Sequence, residues 1–84
     1  MDERTLRALV DAGAVKRVSI VANGARFHVE IDTASGSHSA STVKGEAKTW
    51  RTLDAAAKWI RSVGIGNAQL DLARWQPGQR VLSI

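Results

Sequence analysis

The chain contains no cysteine and no tyrosine, and only one phenylalanine, one methionine and one proline. Without cysteine there are no disulfides and no thiolate metal sites. No apolar run is long enough to cross a bilayer as a helix, and no basic-then-apolar leader opens the chain. A cytoplasmic protein with no membrane partner is therefore expected. A Gly-x-Ser-x-Gly elbow and a glycine-rich phosphate loop are both lacking. Histidine is scarce, and a metal needs three or four converging ligands. His28 alternates along the chain with Arg26, Glu30 and Asp32, and those groups could hold an ion only if His38 lay close by. An exposed histidine is the plainer reading. No enzyme is expected: no catalytic residues, no cofactor and no metal.

What is present suffices for one small globular domain. The 84 residues are 44% apolar, enough for a single modest core over residues 1–84. Twelve Lys and Arg against eight Asp and Glu leave a net charge of +4. That balance leans toward a polyanionic partner, DNA first, although a charge of this size also serves simply to keep a small domain in solution.

The clearest segment runs from Trp50 to Ile65. Thr52 is a fitting N-cap and Asp54 falls in the first turn, where negative charge suits the helix dipole. Leu53, Ala56, Ala57, Ile60 and Val63 recur at spacings of three and four, which marks one apolar face. Gly64 supplies a left-handed stop, after which Ile65 can fold back on Ile60. Residues 2–12 read as a first helix, capped by Asp2, with a stripe of Leu6, Leu9 and Val10 and a stop at Gly13. Residues 15–22 and 25–32 read as strands joined by Asn23-Gly24, a pair suited to a tight hairpin. A two-residue turn there sets Ile20 opposite Phe27, Val18 opposite Val29 and Arg17 opposite Glu30. Residues 38–43 form a weak edge strand, Lys44-Gly45 a second turn, and 46–50 a short return. Residues 68–75 alternate as a half-buried strand, with Trp75 on the face opposite Leu70 and Leu72. After the Pro77-Gly78 turn, residues 77–84 are a loose tail or an edge strand. The expected fold is α+β: a small antiparallel sheet of 4–5 strands with two helices on one face, in the order α-β-β-β-α-β(-β).

Five basic residues, Lys44, Lys48, Arg51, Lys58 and Arg61, fall close together around Trp50. A basic turn with an aromatic neighbour can grip a phosphate backbone and stack on a base or sugar. The plainer reading makes the cations the solvated side of an amphipathic helix and Trp50 a lid over the core. Trp75 and Val21 are candidates for an exposed interaction surface, unless the C-terminal segment covers Trp75.

Three stretches carry a family resemblance: Ala12-Gly13-Ala14-Val15, then Trp50-Arg51-Thr52-Leu53-Asp54-Ala55-Ala56-Ala57 running on to Val63-Gly64-Ile65, and Leu70-Asp71-Leu72-Ala73-Arg74-Trp75. Together they resemble the small ParC-type partition-associated proteins of plasmids and mobile elements, over nearly the whole chain. The resemblance implies a non-enzymatic accessory role in partition or maintenance, and it supplies no catalytic residues. The expected activity is DNA contact through Lys44, Lys48, Trp50, Arg51, Lys58 and Arg61. The alternative is a protein-interaction module, in which a sheet edge or the Trp75 face joins a second copy or another partition protein.

Overall fold

The computed structural model describes residues 1–76; the expected tail or strand over 77–84 lies outside the described residues. The elements are α1 (Glu3–Asp11), β1 (Val15–Gly24), β2 (Arg26–Thr33), β3 (Gly36–Ser39), α2 (Leu53–Ser62) and β4 (Gln69–Trp75). The fold is α+β, with a four-stranded sheet in the order β3-β2-β1-β4.

Both helices begin and end on local chemistry. The Asp2 carboxylate accepts from the Thr5 N–H at 2.9 Å, and the Thr52 hydroxyl accepts from the Ala55 N–H at 3.1 Å. At the far end of α2, Gly64 N–H donates to the Arg61 carbonyl and Ile65 N–H to the Ile60 carbonyl. This paired closure needs a left-handed residue at its centre, and Gly64 has φ +99°. The end of α1 repeats the pattern, with Gly13 N–H on Val10 and Ala14 N–H on Leu9.

The hairpin forms, with its turn one residue later than the sequence suggests. Asn23 pairs with Arg26, leaving Gly24 and Ala25 as the loop. Gly24 has φ +66°, and glycine at the first loop position is what a type II′ turn requires. Ala22 therefore faces Phe27, Ile20 faces Val29 and Val18 faces Ile31. Each partner moves by two residues, so the apolar set stays on the same face. The expected Arg17–Glu30 pair is lost: Arg17 stands opposite Asp32, and Glu30 accepts from or pairs with His28 at 3.0 Å.

The edge strand beyond β2 is shorter and earlier than residues 38–43. Past Ser39 the chain leaves the ladder, though Ala40 N–H still reaches the Val29 carbonyl. The return is held by single bridges, Ser41 with Ala47 and Trp50 with Phe27. The larger difference is the direction of β4. It lies beside β1 and runs parallel to it, so the sheet is mixed rather than antiparallel. Tight turns make β1, β2 and β3 alternate in direction, whereas β4 is reached through α2, and a helical crossover returns the chain in the same sense.

One apolar layer lies between sheet and helices. It comprises Leu6 of α1, Val18, Ile20 and Ala22 of β1, Phe27, Val29 and Ile31 of β2, Ala40, and Ala56, Ile60 and Val63 near α2, all buried. The α2 face is narrower than its periodicity suggests: Leu53 and Ala57 are exposed. No polar side chain is buried among the described residues. None of their helices is long and apolar enough to cross a membrane.

Candidate functional site

The six residues expected to contact DNA have different surroundings. Lys48 is engaged at once with two tryptophans: its Nζ lies 5.8 Å from the Trp50 ring centre and 5.9 Å from that of Trp59. Those two rings pack 5.1 Å apart, tilted by 44°. The indole N–H of Trp59 donates to Glu3 at 3.1 Å, and the other oxygen of Glu3 takes Arg7 at 3.0 Å. The Glu3 carboxyl is held below the ordinary glutamate range by the hydrogen bond from Arg7, then by that from Trp59, with the positive charge of Lys48 adding to both. This cluster joins α1, α2 and the return, and Trp50 within it packs against the core rather than standing free. Lys58 pairs with Asp54 one turn back at 3.2 Å, with both side chains 78% exposed. Lys44, Arg51 and Arg61 form no ion pair among the described residues.

His28 and His38 do not converge either. His28 faces Val21, on the sheet face away from the helices, whereas His38 faces the buried Ile31 on the other. No group of three or more metal-ligating side chains assembles among the described residues.

The open surface lies instead between α2 and β4. Every residue of β4 is exposed, and no strand among the described residues pairs with its outer edge. Leu70 stands beside Ile20 and Asp71 beside Val21, but Arg74 stands beside Asn23 and Trp75 beside Gly24. One extra residue therefore enters β4 between Asp71 and Arg74. The Asp71 carboxylate secures this bulge by accepting from the Ala73 N–H at 3.0 Å. The bulge reverses the alternation, so Trp75 comes to the same face as Leu70 and Leu72. That corrects the expectation that Trp75 lies opposite them. Its ring centre is 6.2 Å from that of the buried Phe27. Val21 remains on the other face, so Trp75 and Val21 belong to two different surfaces.

Leu70, Leu72 and Trp75 are each 43% exposed, and Leu53 of α2 is 37% exposed beside them. They line a cleft of about 550 Å³ floored by Phe27 and flanked by Arg26 and Arg51. A second hollow of about 390 Å³ continues past Leu53 and Leu70 to Ala57, Ile65 and Arg61. The result is an apolar groove along the helix–strand seam with cations at its two ends. Leu53, Leu70 and Leu72 escape a sequence reading because their periodicity is that of core residues. Nothing in a periodic pattern tells a covered strand from an uncovered one. Compared with family models, with curated proteins and with solved structures, the chain matches none. The partition-family resemblance thus rests on its sequence motifs alone.

Proposed function

We propose that this chain is a non-enzymatic docking module that takes an extended protein segment along the open edge of β4. Backbone hydrogen bonds to the edge supply affinity, and apolar side chains entering the groove under α2 supply selectivity. A plasmid-partition or maintenance setting, as the sequence resemblance implies, offers other cytoplasmic partition proteins or a second copy as partners. The observation that carries the reading is a seven-residue edge strand, exposed throughout, whose Leu70, Leu72 and Trp75 form an apolar row beside Leu53. Isolated exposed leucines are ordinary on protein surfaces, but a contiguous row on a strand edge that no strand among the described residues pairs with marks a binding surface.

DNA contact is the second reading, favoured by Lys44, Arg51 and Arg61. It is weakened because Lys48 lies over the Trp50 and Trp59 rings and the Asp54 carboxylate stands beside Lys58. Backbone-phosphate binding through three cations would be weak and strongly salt-dependent. The two readings separate in one NMR experiment on the 15N-labelled chain. Extended peptides of alternating apolar pattern are expected to shift the amides of β4 and the Trp75 indole. Shifts confined to Lys44, Arg51 and Arg61 with a DNA duplex at low salt, and none with any peptide, would transfer the proposal to nucleic acid.

A further inference from the structure

We infer that the segment received by β4 is β4 of a second copy, joined antiparallel about a two-fold axis perpendicular to the sheet, with Asp71 opposite Arg74. The inference rests on the docking reading above and names its partner. It begins with the bulge. In a regular strand, positions three apart point to opposite faces. In β4 the extra residue puts Asp71 and Arg74 on the same face, away from the helices, and Leu70 and Trp75 together on the other. A two-fold axis perpendicular to the sheet keeps faces matched between copies, so residues that share a face can become cross-strand neighbours. The pairing that sets Asp71 beside Arg74 of the second copy also sets Leu70 beside its Trp75. By symmetry each contact occurs twice.

Charge selects this register. Sliding the strands until Asp71 meets its own copy opposes two carboxylates, and centring on Arg74 opposes two guanidinium groups; either is unfavourable across a ladder. In the proposed register every charge of β4 faces its opposite. Neither Asp71 nor Arg74 has an ion-pair partner among the described residues. One oxygen of Asp71 holds the Ala73 N–H, which leaves the other for the incoming guanidinium.

The backbone is oriented to match. Gln76 N–H donates to the Gly24 carbonyl at 2.8 Å, so the residues sharing its face turn their polar groups toward β1. Leu70, Leu72 and Trp75 then turn theirs to the open edge. Leu70 and the facing Trp75 would exchange backbone hydrogen bonds, while Asp71 and Arg74 occupy the closer, non-hydrogen-bonded site between strands. Both α2 helices lie on the same side of the joined sheet, and each Trp75 closes over the other copy's Leu70.

Sedimentation equilibrium of the full chain over a range of concentrations tests this, with Asp71→Arg, Arg74→Asp and the double reversal compared with the parent. A reversible dimer is expected. Each single reversal should weaken it by about tenfold, since two pairs change from attraction to repulsion, and the double reversal should restore it. Asp71→Arg also removes the brace of the bulge, so Arg74→Asp, which leaves that brace intact, carries the test if the former variant folds poorly. A monomeric parent overturns the inference. So does a dimer indifferent to the reversals, a double reversal that keeps the parent's Trp75 indole shift, and so the bulge, yet fails to recover, or a monomer whose β4 amides resist exchange. A monomer whose β4 amides still respond to extended peptides overturns only the second copy as partner. A monomer that responds to none removes the docking reading as well.

Discussion

At the scale of single residues, Glu3 does more than its place in a first helical turn suggests. One oxygen takes Arg7 within α1 and the other takes the indole of Trp59 on α2, which ties the two helices together through one carboxylate. Asp2, its neighbour, caps the helix, and the bond from the Thr5 backbone holds its carboxyl below the ordinary aspartate range. A carboxyl whose folded pKa is depressed adds stability above its unfolded pKa and loses it as the pH falls through the folded value. The urea midpoint should therefore be flat near neutrality and should fall with acidification below the ordinary carboxylate range. Glu3→Gln should lower the midpoint at neutral pH and flatten part of the acid slope, because an amide cannot be neutralised. An unchanged slope in that variant would show that Glu3 is not a source of the acid sensitivity. Lys48 illustrates the same point for function. Its charge is indistinguishable in sequence from that of Lys44 or Arg51, yet it is the one that lies over the packed rings of Trp50 and Trp59.

At the scale of elements, helix ends were legible and the phase of β4 was not. Asp2, Thr52, Gly13 and Gly64 act through bonds to residues a few positions away, so their roles are written locally. Gly64 offers a clear check. Its φ is +99°, and a β-carbon there would approach Val10 Cγ1 at 3.3 Å. Gly64→Ala should cost about 1–2 kcal/mol from the left-handed backbone, with crowding of Val10 in addition. Gly66→Ala, where a β-carbon meets open space, should leave stability unchanged or slightly raised. Thermal or urea unfolding of the two variants gives the comparison. In β4, alternation predicts Trp75 on the wrong face because the count passes through a bulge at Ala73. The cause is the side-chain bond from Asp71, a local signal, but one that only the ladder with β1 makes visible.

For the whole molecule, one apolar layer carries the fold. Leu6 is completely buried at its centre, and Leu6→Ala should cost about 2–5 kcal/mol, a large share of the roughly 5–15 kcal/mol typical of such domains. The groove residues should behave differently. Leu72, 43% exposed, leaves no comparable cavity when shortened or charged. Leu72→Lys is expected to shift the unfolding midpoint little while abolishing the response of β4 to extended peptides in the NMR titration. A large loss of stability in that variant would mean that Leu72 belongs to the core and not to a binding surface.

The sequence by itself determined the element order, both helices and their stops, and which faces of β1 and β2 are apolar. Each of these depends on neighbours within a turn or on a period of two, so short-range chemistry suffices. Tertiary structure alone decided that β4 enters parallel beside β1, that Lys48 meets Trp50 and Trp59, and that Leu53, Leu70, Leu72 and Trp75 remain uncovered. Those outcomes turn on where α2 delivers the chain and how far its cover extends. Burial is a property of what lies across from a residue, and a linear pattern does not contain it.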